Sequence, residues 1–219
     1  RIVDSKPEVV TLLDTQYRMN EEIMRFSSSW FYDGKVKAAP ITAHRGILDY
    51  DTPIEWVDDV ANDDETVGET FVGETFGRIN KVEARQVMEL LQAYFEKIGK
   101  QRIIDESIDV GIISPYRAQV QYLRHLIKKE AFFKPFRHLL SVNTVDGFQG
   151  QERDVIIVSL VRSNNDGQIG FLRDLRRMNV AMTRARSKLI IIGDHETLAH
   201  HEFYKKLYEY IKKHKTDNF

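Results

Sequence analysis

The sequence predicts an α/β fold, a mostly parallel sheet with helices on both faces. Three observations predict it. The apolar runs at 110–113, 155–161 and 189–192 are continuous rather than alternating, the pattern of strands buried on both faces. The segments between them carry apolar residues at helical spacing, so strands and helices alternate along the chain. The 219 residues, 42% of them hydrophobic, suffice for a sizeable core in one large domain with an excursion.

Composition narrows the chemistry. There is no cysteine, which removes disulfides and thiolate metal sites and is compatible with a reducing, intracellular compartment. No apolar stretch reaches the ~18 residues of a membrane span, and no signal-like N-terminus is present; no membrane partner is expected. The chain starts at Arg1 and runs almost directly into an apolar segment, so a piece of a longer protein is expected. A net charge of −1 argues neither for nor against a polyanionic partner. Its distribution says more. Asp49, Asp51, Glu55, Asp58, Asp59, Asp63, Asp64 and Glu65 make an acidic stretch, whereas Arg162, Arg173, Arg176, Arg177, Arg184, Arg186 and Lys188 face only Asp166 and Asp174.

Taken in order, residues 9–13 read as a short buried strand, followed by the polar and aromatic cluster 16–20 and an apolar-rich helix over 21–31 that ends near Gly34. The acidic excursion 46–78 holds one strand, 54–57. It also contains a tandem duplication, VGETF at 67–71 and again at 72–76, too short for a solenoid and read as a loop or small hairpin of low functional content. Asn80 and Glu83 have the form of a helix cap with a reciprocating glutamate, and Val87, Leu91, Phe95 and Ile98 continue the helix until Gly99. The strand 110–113 turns at 114–117 into a helix carrying Val120, Leu123 and Ile127; a short strand at 139–142 and the strand 155–161 follow. Leu175, Met178, Met182 and Ala185 then recur at helical spacing, which places Arg177 and Arg184, seven apart, on one other face. Asp194 caps a single final helix with Phe203, Leu207, Tyr210 and Ile211 on one side. Ligands of such folds bind outside the carboxyl ends of the strands. The clusters 16–18, 114–117, 144–152 and 162–164 all follow strands and are expected to converge on that one rim.

Each cluster has two readings. The paired arginines of 176–186 suit phosphates, since guanidinium is a permanently charged planar fork, or form a solvated basic face. Tyr17 beside Arg18 can stack on a base and reach a phosphate, or simply end a strand. Gly147 and Gly150 bracket Phe148 and Gln149 ahead of Glu152, an arrangement for a phosphate and a ribose or an ordinary tight turn. His195, His200 and His201 near Glu196 and Glu202 read as solvated rather than metal-binding, and the C-terminal lysines as a solvated face.

As a set, QYRMN at 16–20, SPYRAQ at 114–119, NTVDGFQGQE at 143–152, VRSN at 161–164 and RRMNVAMTRAR at 176–186 resemble the second RecA-like domain of superfamily 1 helicases, in the branch of the nonsense-mediated-decay helicase and senataxin. Order and spacing match over 12–194. The resemblance implies a RecA-like, P-loop NTPase-type sheet and an ATP and Mg²⁺ site in the cleft between two such domains. It implies that Arg18 and Arg184 act as arginine fingers on the γ-phosphate, that Tyr17, with Gln16 beside it, meets the adenine, that Glu152 binds the ribose and that the Gly150 backbone lies near the phosphates. It places Ser114, Pro115, Tyr116, Thr144, Arg162 and Asn164 along single-stranded DNA or RNA, and suggests 5′-to-3′ movement by a monomer.

The departure is an absence. No G-x-x-x-x-G-K-[ST] occurs, since Gly34-Lys35 is followed by Val36 and Gly99-Lys100 by Gln101, and no Walker B carboxylate pair precedes Gln16. The phosphate cradle and Mg²⁺ ligands are therefore expected from an upstream RecA-like domain of the same polypeptide, and the chain alone is expected to hydrolyse no ATP. A motor-dead binding or scaffolding module that keeps the fold is the alternative; a Rossmann enzyme is disfavoured because no G-x-G-x-x-G follows a strand.

Overall fold

A computed structural model describes residues 13–59, 68–73 and 77–216. Its strands are β1 (Thr15–Gln16), β2 (Lys37–Ala38), β3 (Ile54–Val57), β4 (Thr70–Val72), β5 (Gly77–Ile79), β6 (Val110–Ile113), β7 (Leu140–Asn143), β8 (Arg153–Ser159) and β9 (Ala185–Ile192). Its helices are α1 (Glu21–Tyr32), α2 (Pro40–Ala43), α3 (Lys81–Ile98), α4 (Lys100–Asp105), α5 (Arg117–Lys129), α6 (Leu175–Met182), α7 (His195–Leu198) and α8 (Glu202–Thr216). The central sheet has five strands in the order β3-β9-β8-β6-β7, all pairs parallel. The mostly parallel sheet expected from the continuous apolar runs is therefore present.

Alternation along each strand divides the core. Ile156, Val158, Leu189 and Ile191 face α1, α6 and α8, whose Ile23, Phe26, Met178, Met182, Phe203 and Leu207 are all buried. Val155, Ile157, Ile190 and Ile192 face α3 and α5, joined there by Phe133 and Phe136. Helices cover both faces, as parallel strands require. The chain leaves β6 toward β7 on one side and β8 toward β9 on the other, so the topological switch lies between β6 and β8.

Several sequence expectations change. The strand expected over 9–13 lies outside the described residues except Leu13, which is exposed and precedes β1. The strand expected over 155–161 is β8, which ends at Ser159 because Val161 takes a φ of 72°, outside the strand region. The final helix is two helices, α7 and α8, with Asp194 capping only the first through the N–H groups of Glu196 and Thr197. Of the duplicated segment, read as a loop or small hairpin, the described part holds β4, which pairs antiparallel with β5 just beyond it; residues 67 and 74–76 lie outside the described residues.

One buried cation joins the edge of the sheet. Lys188 is 2% exposed, and its ammonium donates to Asp51 Oδ1 at 2.7 Å, to the Thr52 carbonyl at 2.6 Å and to Glu55. Removing one partner of such a buried cluster strands the others. Lys188→Ala should therefore cost about 3 kcal/mol, a fall in Tm of about 6–12 °C for a chain of this size, checked by thermal unfolding; an unchanged Tm would show that the cluster contributes nothing.

Candidate nucleotide and nucleic-acid sites

The expected site residues do not meet on one rim. A connection between parallel strands starts at a carboxyl end and finishes at an amino end, and the segment 144–152 spans such a connection, from β7 to β8. Thr144 accordingly lies at the carboxyl ends and Glu152 at the amino ends. The length of β8 separates them by about 20 Å.

The amino-end cluster is built from three turns. In the first, Gln16 spends its amide on its own backbone: Oε1 accepts from the N–H groups of Arg18 at 2.8 Å and Met19 at 2.7 Å, and Nε2 donates to the Met19 carbonyl at 2.9 Å. With Met19 buried as an anchor, this turn leaves the Tyr17 ring 70% exposed. It directs Arg18 across to Glu152, with which it forms an ion pair, and to the Thr183 carbonyl at 3.1 Å. The second turn enters β8 through Gly150, whose φ of 78° and open surroundings suit glycine and leave its backbone accessible.

The third turn corrects the expected helix of 176–186. Helix α6 ends at Met182 and β9 begins at Ala185, so Arg184 sits on the turn and does not share a helical face with Arg177. Arg177 instead lies 3.2 Å from Asp146 and 3.7 Å from Asp174. Among the described residues Arg184 donates only to neutral oxygens, the carbonyls of Val180 at 3.1 Å and Gln151 at 3.2 Å and the Thr183 hydroxyl at 3.4 Å. Burial, and then the neighbouring Arg18, lower its guanidinium pKa from the ordinary arginine value, while Glu152 opposes them. A half-buried cation beside another cation, with no ion-paired carboxylate among the described residues, is electrostatically prepared for an anion.

Arg186 is the opposite case. It lies 3.0 Å from Asp109 and 3.0 Å from Asp154, and 3.7 Å from Glu152. Asp109 and Asp154 also exchange backbone-to-carboxylate bonds of 3.2 and 2.7 Å, and burial raises the Asp154 pKa. Arg186 thus ties the amino ends of β6, β8 and β9 together and helps hold the carboxylate that meets Arg18.

The carboxyl-end cluster sits at the switch between β6 and β8. Ser114 is buried, its N–H donating to the Asn143 carbonyl at 3.3 Å and its Oγ accepting from Tyr116 at 3.4 Å. Pro115, Tyr116 and Thr144 line a groove of about 630 Å³ together with Arg117 and Phe171. Thr144 Oγ1 accepts from Gly147 N–H at 3.4 Å. Arg162 is only 4% exposed and its Nε is 2.5 Å from Glu69 Oε2, an ion pair rather than an aligned hydrogen bond. Glu69 also pairs with Arg78, so the first copy of the duplicated segment, expected to carry little function, neutralises a cation at the rim. Burial raises the Glu69 pKa, and Arg162 is the main opposing influence. Asn164 closes its own loop, exchanging two bonds of 2.9 Å with Gln168.

Beneath this rim the cap expected at Asn80 and Glu83 forms only in part. The Asn80 side chain does accept from Glu83 N–H at 3.0 Å, as a cap should. Glu83 does not reciprocate: Asn80 N–H is taken by Gln119 at 3.0 Å, and the fully buried Glu83 carboxylate accepts from Val161 N–H at 2.8 and 2.9 Å and from the Ser159 hydroxyl at 2.6 Å. Burial raises its pKa well above the ordinary glutamate value, and nearby Asp59 adds to this, against the donors Ser159 and Val161. A β-branched residue at positive φ persists only when its surroundings hold it; Glu83 is what holds Val161. The local Asn-x-x-Glu spacing revealed the cap, but no local signal reports a partner 78 residues away.

Comparison with known proteins agrees with the motif set. A protein-family model described as an AAA domain matches residues 1–196. The chain belongs to that family. It is the second RecA-like domain of a superfamily 1 helicase, in the branch of the nonsense-mediated-decay helicase and senataxin. Among its relatives, an uncharacterized ATP-dependent helicase of Methanocaldococcus jannaschii is 36% identical over 97% of this chain and 31% of its own length. Helicase SEN1 of Saccharomyces cerevisiae is 36% identical over 92% of this chain and 9% of its own length. A regulator of nonsense transcripts 1 homolog of Neurospora crassa is 33% identical over 91% and 18%. The chain therefore spans less than a third of the length of these relatives. Within this RecA-like domain no described helix is long and apolar enough to cross a membrane.

Proposed function

We propose that this domain is the second motor unit, over 1–219, of an intracellular ATP-dependent nucleic-acid helicase or translocase. The observation that carries the reading is Arg184, a half-buried guanidinium without a carboxylate partner among the described residues, held beside Arg18 at the amino-end rim. There Arg18 and Arg184 stabilise the negative charge that grows on a transferring phosphoryl group; such fingers are worth about 10³ to 10⁵ in rate. The exposed Tyr17 ring offers the adenine a stacking surface, Gln16 holds the turn that presents it, Glu152 accepts from ribose hydroxyls, and the Gly150 backbone leaves space for phosphates. ATP with Mg²⁺ supplies the reactive phosphoryl group, bound mainly through a P-loop domain of the same polypeptide.

At the opposite rim, Pro115, Tyr116 and Thr144 line the groove for single-stranded DNA or RNA; Ser114 and Arg162 are buried at that rim, and Asn164, which closes its own loop, lines a separate cleft with Ser163 and Asp194. Nucleotide and strand then meet opposite ends of the same strands, so a movement of the sheet against the upstream domain couples them. In the full-length protein, single-stranded nucleic acid should stimulate ATP hydrolysis, and Tyr17→Ala should raise the KM for ATP about tenfold, the scale of one stacking contact, with kcat nearly unchanged. This domain alone should hydrolyse none. An ATPase indifferent to nucleic acid would overturn the motor reading, and turnover by the rigorously purified domain would overturn the shared site.

A further inference from the structure

None of the helicase motifs includes Phe171, yet it is among the most exposed large apolar side chains of the described residues, at 66%. Such a ring in water usually marks a contact to be made. Its mounting is rigid. The 3₁₀ turn Gly170–Arg173 is pinned by Ile169 and Leu172, 2% and 5% exposed, and by the Tyr204 hydroxyl, which donates to the Leu172 carbonyl at 2.8 Å. Gly170 takes a φ of 54°, and a Cβ there would meet the Arg162 guanidinium and, at 3.0 Å, the Tyr116 hydroxyl. The turn can therefore lie directly over the Arg162–Glu69 pair.

Three features surround the ring. Tyr116, 6% exposed, lies beneath it with ring centroids 5.7 Å apart at a 49° tilt, and the Tyr116 hydroxyl has no hydrogen-bond partner among the described residues. The N-terminus of the 13-residue α5 opens at the same groove, and its N-cap residue, Tyr116, makes no side-chain capping bond. Arg117, the first residue of that helix, is exposed and forms no ion pair among the described residues. Free helical N–H groups and an unpaired guanidinium suit a phosphate. An exposed, rigidly held ring suits the face of a base, whichever base it is.

We propose that Phe171 is a base-stacking platform for single-stranded nucleic acid, which receives one base while Arg117 and the start of α5 receive the adjoining phosphate. The inference rests on the reading of the carboxyl-end groove as the strand-binding rim. It adds to that reading a contact that is indifferent to base identity and depends on a base being present. A rigid ring loses little freedom on binding, and each step of the strand would re-form the contact with the next base.

The test uses the full-length protein, fluorescent oligo(dT) and oligo(U), and matched strands in which one base at a time is replaced by an abasic sugar. Phe171→Ala should weaken strand binding about tenfold, and Phe171→Trp should restore it. On the wild type, one abasic position should weaken binding by a similar factor; on Phe171→Ala, that position should cost nothing further. Wild-type affinity in Phe171→Ala, or the same abasic penalties at every position in both proteins, would overturn the stacking while leaving the groove reading intact. Failure of the wild type to bind any single strand would overturn the groove reading, and the stacking with it. Because the ring is exposed, Tm should not move in either variant, which separates lost stacking from lost fold.

Discussion

Replacing Arg184 with alanine in the full-length protein is expected to lower nucleic-acid-stimulated ATP turnover by about 10³-fold or more. The loss should fall on kcat, because charge on the transferring phosphoryl group peaks in the transition state and a finger acts there. Arg184→Lys should recover little of it, since an ammonium cannot reproduce the planar fork that now spans the Val180 and Gln151 carbonyls. Strand affinity in the absence of nucleotide should be unchanged, because Arg184 lies at the amino-end rim and the groove at the other, about 20 Å away. Arg186→Ala makes the contrast. It removes the cation between Asp109 and Asp154, so it should lower Tm as well as turnover. A normal kcat in Arg184→Ala would remove the arginine-finger role.

The second large effect is expected at Glu83. Glu83→Ala removes the acceptor of Val161 N–H and of the Ser159 hydroxyl. Orphaned buried donors cost about 1–3 kcal/mol each, so a loss of roughly 2–6 kcal/mol is expected. Released from Glu83, Val161 should also leave its positive φ and misplace Arg162 and Ser163, so strand binding should weaken even well below the melting temperature. Glu83→Gln separates the charge from the shape. The folded pKa of Glu83 is raised above its unfolded value of about 4.3, so the folded state favours the protonated form. Its contribution to stability is complete below the unfolded pKa and declines as pH rises through the folded one. The stability of the wild type relative to Glu83→Gln should therefore be greatest near pH 4 and fall as pH rises above that. Denaturant unfolding across this range measures it; a difference that stays constant with pH would mean that Glu83 does not titrate with folding.

Local sequence carried much of this in advance. The continuous runs of β6, β8 and β9 reported burial on both faces, because a residue's neighbours along the strand sample both faces in turn. Helical spacing placed Ile23, Leu91, Leu123 and Phe203 in the core, where they are. The cap at Asn80 was also legible, since it is an interaction within a few residues. What local sequence handled least well was the ends of elements. Apolar spacing runs on through Ala185 and so predicts a helix to Arg186, but the same residue begins β9, and periodicity does not say where one regular structure yields to another.

By itself, then, the sequence determined the class of fold, the composition of the core and membership of the superfamily 1 helicases, all properties carried by short-range pattern and by the order of motifs. The tertiary structure alone decided that the motif residues divide between two rims, because that depends on where each connection starts and ends on the sheet. It also decided which arginines are free. Arg162, Arg184 and Arg186 look alike in a sequence, but charge is neutralised through space: Glu69 and Asp109 reach two of them across 93 and 77 residues, and among the described residues no carboxylate forms an ion pair with Arg184.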